Sequence, residues 1–554
     1  MAMSLRESVA PALPRPRGWR PRLLPWAPLL TLALMLGPVA AGLGGTLLPA
    51  FGWLPALGGT SLGLDAFRGL VAWPGFSGAV TLSLTTGLAA TATSLAIVVL
   101  VCAGWQGTRA FAFIERALSP LLSVPHAAAA FGLAFLISPS GWIARALSPW
   151  LTGWQQPQDL LIVQDQAGLA MIAGLVTKEV PFLLLMTLAA LGQAKPRQSV
   201  TVAQALGYAR PTAWLKTVFP QVYGQIRLPV YAVLAYSMSV VDVAIILGPN
   251  TPPTLSVQVV RWMSDPDLAL RFQAAAGAVA QLGLVLFALA LWRGLELAAT
   301  ALGRRWIERG GRGGGDAAMR IVGLGAAIAA SLAVTLGIAG LAVWSVAGFW
   351  SFPAMLPDGF SMRGLVRHGP ALAATAVETL AIAGAATGLA LLLTLGSLEA
   401  EHRHGLRPTT RALWLLYIPL IVPQVAFLSG LQTLALSAGL AGGRIAVISA
   451  HLVFVLPYVF LSLSEPYRAW DTRHATVARA LGAGPDRVLW TVRLPMLLRP
   501  VLIAAAVGFA VSVGQYLPTL LVGAGRVQTL TTEAVALAAG GDRRIIGIYG
   551  LAQT

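Results

Sequence analysis

The amino-acid sequence predicts an all-α, polytopic membrane protein. Hydrophobic residues make up 56% of the 554 residues, charged residues only 11%, and the mean hydropathy is +0.74. A soluble domain carries about 25% charged residues, so this chain has too few polar side chains to cover a water-facing surface. Apolar runs long enough to cross a bilayer as helices recur along the sequence. These runs lack the short alternating pattern of a membrane β-barrel.

Twelve apolar runs are predicted to span the membrane, six in each half of the chain. Those of the first half lie near 23–44, 79–104, 117–138, 167–192, 228–248 and 271–292. Those of the second half lie near 321–347, 371–396, 411–438, 444–464 and 499–522, with a last one from 544. The last run stops at Thr554, about ten to fifteen residues short of a full span. We therefore expect a truncated twelfth helix.

These runs divide the chain into four parts. We assign 1–22 to a basic N-terminal tail, 23–302 to the first half, 303–320 to a polar, Gly-rich linker and 321–554 to the second half. A loose small-residue cleavage pattern at Val39-Ala40-Ala41 leaves open whether the first span is retained.

The distribution of positive charge predicts the orientation of the chain. Of the 38 Lys and Arg residues, 27 fall in the tail, the linker and the loops that would share their side of the membrane. Cytoplasmic loops carry such an excess, so the N-terminus is predicted to be cytoplasmic. The same bias explains the net charge of +17 without a nucleic-acid partner. The single cysteine, Cys102, excludes an internal disulfide.

One segment occurs twice, 275 residues apart. It reads VAQALGYARPTAWLKTVFP at 202–220 and VARALGAGPDRVLWTVRLP at 477–495. The same offset relates Thr254-Leu255 to Thr529-Leu530 and Asp267 to Asp542. Two homologous halves of six spans, with the same orientation, explain this constant offset. Such parallel repeats are related by a pseudo-two-fold axis along the membrane normal.

Each copy of the segment predicts a short amphipathic helix that ends at a glycine. Apolar residues stand at i, i+3 and i+4 in both copies, which places them on one helix face: Val202, Ala205 and Leu206, and Val477, Ala480 and Leu481. Gly207 and Gly482 follow directly, at the position where a helix favours a left-handed residue. An exposed helix given twice to one side of the membrane indicates a docking element for a two-fold partner.

The two segments resemble the EAA loop of ABC importer permeases, whose pattern is E-A-A-x3-G-x9-I-x-L-P. The spacing matches in both copies, and the pattern positions are held by Thr201, Val202, Ala203, Gly207, Thr217, Phe219 and Pro220, and by Thr476, Val477, Ala478, Gly482, Val492, Leu494 and Pro495. Threonine replaces the leading glutamate in both, so an ionic contact made by that glutamate is not expected here. The chain resembles fused two-permease importers of the ferric-iron, thiamine and Ynj types.

The resemblance implies a fold, partners and a location. It implies two MetI-like permease halves in the inner membrane of a bacterium, each presenting a coupling helix to one of two copies of an ABC ATPase. It also implies a periplasmic substrate-binding protein that delivers a small solute to the outer loops at 45–78, 139–166, 249–270, 348–370 and 523–543. ATP and magnesium would bind the ATPase and no cofactor would bind this chain, which agrees with the absence of a Gly-Lys-Ser/Thr phosphate-binding motif.

Five ionisable residues within the predicted spans are candidates for the translocation path: Lys178, Glu179, Asp242, Glu378 and His451. Ionisable side chains in a membrane usually face the bundle interior or a water-filled cavity. The alternative for each is an internal pair that only fixes helix packing. Adjacent residues point about 100° apart on a helix, so Lys178 and Glu179 are expected to contact different neighbours.

Two other functions are alternatives to a permease. A secondary transporter driven by an ion gradient would need an intramembrane network of acids, and only Glu179, Asp242 and Glu378 are available. A membrane enzyme would need a catalytic constellation. The six histidines show no HExxH or paired Cys/His metal spacing, and no Ser/His/Asp set stands in a recognisable context. The transported solute is not readable from the sequence.

Overall fold

A computed structural model describes residues 24–554, except 119, 195, 315, 407–409, 440–441 and 539–540. The predicted basic tail at 1–22 therefore lies outside the described residues. The described chain is mostly helical and has almost no strand, which confirms the predicted all-α class. Its one small sheet is an antiparallel hairpin of β1 (Trp53–Leu54) and β2 (Gly59–Thr60).

The described residues of the first half form thirteen α-helices. They are α1 (Ala27–Ala50), α2 (Asp65–Ala72), α3 (Phe76–Trp105), α4 (Arg109–Leu118), α5 (His126–Ile137), α6 (Trp142–Leu147), α7 (Leu169–Gln193), α8 (Pro196–Ala205), α9 (Arg210–Thr217), α10 (Phe219–Ser239), α11 (Asp242–Leu247), α12 (Leu255–Met263) and α13 (Leu270–Glu308).

The second half repeats this order. Its helices are α14 (Asp316–Val346), α15 (Arg363–His404), α16 (Thr410–Ile421), α17 (Gln424–Ser437), α18 (Arg444–Arg468), α19 (Arg473–Ala480), α20 (Pro485–Val488), α21 (Leu494–Met496), α22 (Leu498–Val513), α23 (Leu517–Gly523), α24 (Leu530–Ala538) and α25 (Arg543–Ala552). Thus α1 corresponds to α14, α3 to α15, α5 to α17, α7 to α18, α8 to α19 and α10 to α22.

Eight of the described helices are long and apolar enough to cross a membrane, or up to ten if each of two bent pairs counts as one span. The predicted span at 411–438 is one of these pairs: α16 and α17 meet at 82°. Pro423 separates them, and proline lacks the amide that a continuous helix needs at that point. The predicted spans at 228–248 and 499–522 are also interrupted, because α10 ends at Ser239 and α22 ends at Val513.

Helices enter the predicted linker segment from both ends. Helix α13 continues to Glu308 and α14 begins at Asp316, so both ends of the predicted 303–320 segment are helical. The described residues 309–314 between them are not helical. The long end of α13, which carries Arg304 and Arg305, projects beyond the apolar span predicted at 271–292.

The first helix of each half packs on the opposite half. Helix α1 lies against α17, and α14 lies against α5. Glycines allow both approaches: a Cβ added to Gly132 of α5 would lie 2.8 Å from the backbone of Gly337 in α14. Likewise, a Cβ on Gly430 of α17 would overlap the backbone of Gly42 in α1. Small residues let membrane helices come this close, and the two reciprocal crossings join the halves.

Candidate functional site

The first repeated loop, residues 196–218, is built as the sequence predicts. Gly207 ends the short helix α8 with φ of 86°. Its amide donates to the Gln204 carbonyl at 2.9 Å, and the Tyr208 amide donates to the Ala203 carbonyl at 3.2 Å. These bonds satisfy carbonyls that the helix end would otherwise leave free. Helix α9 follows, and Pro220 lies in the first turn of α10.

The second repeated loop, residues 473–497, has the same helix end. Gly482 has φ of 84°. Its amide donates to the Arg479 carbonyl at 2.9 Å, and the Ala483 amide donates to the Ala478 carbonyl at 3.0 Å. The chain then differs from the first loop, since a π-helical turn at Leu489–Arg493 precedes α21. Pro495 lies within α21.

Both loops expose the apolar face that the spacing predicts. Val202 and Leu206 are 58% and 62% exposed, and Val477 and Leu481 are 61% and 83% exposed. Ala205 and Ala480 are exposed on the same faces, whereas Ala203 is buried and Ala478 half-buried beneath them. Each half therefore presents an uncovered apolar stripe on a helix held by its buried side.

The threonines that replace the leading glutamate bond within their own helices. The Thr201 hydroxyl donates to the Arg197 carbonyl at 2.8 Å, and that of Thr476 donates to the Thr472 carbonyl at 3.4 Å. Both threonines are exposed. A neutral side chain bonded in this way offers no charge to a partner.

The first loop is anchored to the end of α3. The Arg210 guanidinium donates to the Gln106 carbonyl, and the Trp214 indole donates to the Gln106 side-chain oxygen at 2.7 Å. Burial, and then the nearby charge of Arg320, lower the pKa of Arg210. These bonds join α9 to the residue that directly follows the membrane-spanning helix α3.

The second loop is anchored by a buried ion cluster instead. Arg493 pairs with Glu399 of α15 at 2.6 Å, and their side chains are 3% and 5% exposed. Glu399 also pairs with Arg403 at 2.6 Å and accepts a hydrogen bond from the Tyr467 hydroxyl. Arg403 in turn pairs with Asp486 in the loop at 2.7 Å. In the first half, the residue 275 positions before Arg493 is the buried Val218.

Two of the five path candidates, Lys178 and His451, are hydrogen-bonded to neighbouring segments. The Lys178 ammonium donates to the carbonyls of Leu121 at 2.7 Å and Val124 at 2.5 Å, between α4 and α5. His451 bonds the hydroxyls of Ser512 and Thr519, each at 2.8 Å. These are the contacts expected of side chains that fix helix packing.

Glu378 lies at the periphery of the second half. It pairs with Arg444 at the start of α18, at 2.5 Å, and the arginine side chain is 62% exposed. This pair lines a shallow surface cavity of about 370 Å³ together with Val527 and Gln528. The structure does not bring Glu378 near the other four candidates.

Glu179 and Asp242 lie in a polar cluster formed by both halves. Glu179 is 3.6 Å from the His126 ring of α5, and the centre of that ring lies 4.9 Å from the centre of the Tyr236 ring, with the two planes tilted by 54°. Asp242 begins α11, which packs on α5 and α7, and Tyr458 of the second half interacts with the charge of Glu179. The separate partners of Glu179 and Lys178 confirm that these neighbours point to different surroundings.

Sequence reasoning missed several of these residues. His126, Tyr236 and Tyr458 were not predicted because a half-buried aromatic residue in an apolar helix has no signature of its own. His126 had one usable signal: it follows Pro125, and Gln424 follows Pro423 at the corresponding helix start. A polar residue at the first position of both helices marks the repeated break in the spans.

The fold and the two loops define a class: a multi-pass membrane permease of two related halves, each with an exposed helix for a partner. Comparisons give the family. The family of binding-protein-dependent transport system inner membrane components matches residues 393–539. The inner membrane ABC transporter permease protein YnjC of Escherichia coli is 34% identical over 501 residues, covering 89% of this chain and 88% of that protein. The chain therefore belongs to the ABC importer permease family.

Two further relatives match a smaller part of the chain. The molybdenum transport system permease protein ModB of Mycobacterium tuberculosis is 32% identical over 24% of this chain and 53% of its own length. The spermidine/putrescine transport system permease protein PotC of Haemophilus influenzae is 26% identical over 28% of this chain and 61% of its own length. The transported compounds in these names differ, so family membership leaves the substrate open.

Proposed function

We propose that this chain forms the translocation path of an ABC importer and is driven by two copies of a separate ATPase, one on each repeated loop. The observation that supports this most is the matched pair of apolar stripes, at Val202 and Leu206 and at Val477 and Leu481, exposed in both halves. An apolar helix face that a folded protein leaves uncovered marks an interaction surface. ATP and magnesium would bind the ATPase copies.

The positive-inside bias supports a cytoplasmic location for both loops and for the N-terminus. ATP-driven closure of the ATPase pair would then draw the loops together. The reciprocal packing of α1 on α17 and α14 on α5 would turn this approach into a relative rotation of the halves, opening the path outward. A periplasmic binding protein would deliver the solute to the opposite face, at 45–78, 139–166, 249–270, 348–370 and 523–543.

For the path itself, the geometry favours Glu179 and Asp242 over the other three candidates. Both are buried, and both have partners or neighbours among His126, Tyr236 and Tyr458 at the junction of the halves. Lys178, Glu378 and His451 are bonded to neighbours that account for them structurally. We assign the path to the first pair and helix positioning to Lys178 and His451.

The test is a paired substitution in the two loops. Gly207→Arg with Gly482→Arg places a long side chain at positive φ in both helix ends, which strains the backbone and blocks the stripe. We expect the double variant to insert in the membrane but to lose copurification of the ATPase and ATP-dependent uptake. Gly405→Arg is the control, since Gly405 has φ of 64° and nothing within 4 Å, at the end of α15 and outside both repeated loops. ATPase copurification by the double variant at the wild-type level would refute the proposal.

The ion-driven alternative has less support. Family membership argues against it, and the predicted acids do not form one network: Glu378 is held apart by Arg444. Uptake that persists without ATP and follows a proton or sodium gradient would reinstate it.

A further inference from the structure

The linker between the halves lies on the first repeated loop. Lys216 of α9 donates to the carbonyls of Trp306 at 3.1 Å and Gly311 at 2.9 Å. Its ammonium also lies 4.5 Å from the centre of the Trp306 ring and 5.0 Å from that of Tyr208. One side chain thus joins the loop to the end of α13 and to the linker by two charge-assisted hydrogen bonds and one cation–π contact, to Trp306, while its contact with Tyr208 lies within the loop.

Backbone contacts continue along the linker. The Ala209 amide, at the start of α9, donates to the Arg312 carbonyl at 2.9 Å. The Arg312 side chain passes the glycine of the loop, since a Cβ on Gly207 would be 3.4 Å from its Cδ. A Cβ on Gly313 would lie 3.0 Å from the Cβ of Thr212. Hydrogen bonds and close packing therefore hold the linker against the end of α8 and the start of α9.

The second loop has no such cover among the described residues. A Cβ on Gly482 would meet no atom within 4 Å. The position that corresponds to Lys216 is Thr491, whose hydroxyl bonds the Arg487 carbonyl of its own helix. The second loop is held from within by Arg493 and Glu399, whereas the first is held from outside by the linker.

We propose that the linker is a permanent brace of the first repeated loop, so that a force on this loop is transmitted to the adjoining ends of α13 and α14, while a force on the second loop passes through Arg493 to α15. The two loops are therefore mechanically different, although their stripes match. The mechanical part rests on the proposed function; the seating of the linker does not.

A disulfide tests the seating. In a Cys102→Ala background, Thr212→Cys with Gly313→Cys places two Cβ atoms 3.0 Å apart, and a shift of roughly 0.5 Å in the linker brings them to the separation of a disulfide. We expect the bond to form in air in the full-length protein in lipid nanodiscs, as read by mass spectrometry of the linked peptides. The control pair is Thr212→Cys with Gly310→Cys, which also replaces a positive-φ linker glycine but one with nothing within 4 Å. Equal cross-linking of the two pairs, or none in the first, would overturn the seating.

Lys216 tests the brace. Lys216→Met removes the two bonds to the linker, and trypsin cleavage after Arg309 and Arg312 should rise about tenfold, the size of one net charge-assisted hydrogen bond. Lys216→Arg should restore most of the protection. Arg304→Met is the control, because Arg304 is an exposed residue of the same helix end without a bond to the loop among the described residues. Unchanged cleavage in Lys216→Met would overturn the brace.

The ATPase rate of the complex tests the mechanical role. We expect Lys216→Met to lower the stimulation of the ATPase by the permease several-fold, and Lys216→Arg to restore it. The locked disulfide should leave stimulation unchanged, because a permanent brace does not open during turnover. Loss of stimulation in the locked protein would refute permanence. If the wild-type chain bound no ATPase at all, the proposed function would fail while the cross-link and cleavage results would stand.

Discussion

Glu399→Gln is expected to destabilise the second half, since it removes the charge that neutralises Arg493. The Arg493 side chain is 3% exposed. Its other neighbours include the Tyr467 hydroxyl at 3.2 Å, His402 at 2.6 Å and the Trp470 ring, whose centre is 4.3 Å from the guanidinium; none of these is an anion. Arg403 is less affected, because it keeps Asp486 at 2.7 Å. The cost therefore falls mainly on one buried guanidinium.

The magnitude follows from the burial of the pair. Removing one partner of a buried ion pair costs roughly 3–5 kcal/mol, whereas replacing both by apolar groups of similar volume is often neutral. Since glutamine still accepts a hydrogen bond, we place Glu399→Gln at the lower end, about 3 kcal/mol. The double variant Glu399→Met with Arg493→Met should recover most of this loss. The first half supports that expectation, because it holds the apolar Val218 at the position of Arg493.

The assay is denaturant unfolding of the purified protein in nanodiscs, followed by tryptophan fluorescence. It compares the wild type, Glu399→Gln, the single variants Glu399→Met and Arg493→Met, and the double variant. Arg473→Met is the control, since Arg473 is 90% exposed in its pair with Asp471 and should change the free energy of unfolding by less than about 1 kcal/mol. A single variant as stable as the wild type, or a double variant no more stable than the worse single one, would refute the reasoning.

Four other substitutions have defined outcomes. Val202→Asp with Leu206→Asp should weaken ATPase binding at least about tenfold, because binding would then remove two charges from water. The free energy of unfolding should change little, because both side chains are exposed in the free protein. Unchanged binding in a titration would contradict this. Gly132→Leu should destabilise the protein by roughly 1–3 kcal/mol, because the added side chain overpacks against Gly337. The control Gly325→Leu in α14, where a Cβ has nothing within 4 Å, should not. Equal melting temperatures of the two variants would argue against the close crossing of α5 and α14. Lys178→Met should cost roughly 1.5–3 kcal/mol, because the carbonyls of Leu121 and Val124 lose a charged donor; unfolding measurements decide. Glu378→Gln should cost less than about 1 kcal/mol, since its partner is largely exposed, and uptake should persist; loss of uptake would return Glu378 to the path.

Features set by local chemistry were predictable from the sequence. The helices follow from apolar runs, and the left-handed conformations of Gly207 and Gly482 follow from their place after an amphipathic turn. Proline positions were visible as well, but not their effect: Pro423 ends a helix and turns the chain by 82°. Pro181 stays within the continuous helix α7. The outcome depends on whether neighbouring helices satisfy the freed carbonyl, which is tertiary information.

Pairs formed across the chain were not predictable. Glu399 and Arg493 are 94 positions apart, and each reads in isolation as an ordinary charge beside a loop. The apolar stripe of α8 was predicted, but periodicity alone does not tell an exposed stripe from a buried one. The contacts of the linker with the first repeated loop were also not predictable, because Gly311 and Gly313 look like flexible spacer residues in GGRGGG.

The reciprocal helix crossings constrain how the protein is made. Helix α1 leaves the ribosome first, yet the α17 surface that receives Gly42 and Gly45 is synthesised more than 370 residues later. At translation rates of about 5–20 residues per second, α1 waits tens of seconds in the bilayer without its final neighbour. Neither half can complete its packing alone, so maturation of this chain depends on an interval in which a glycine-lined helix face stays open to lipid or to an assembly factor.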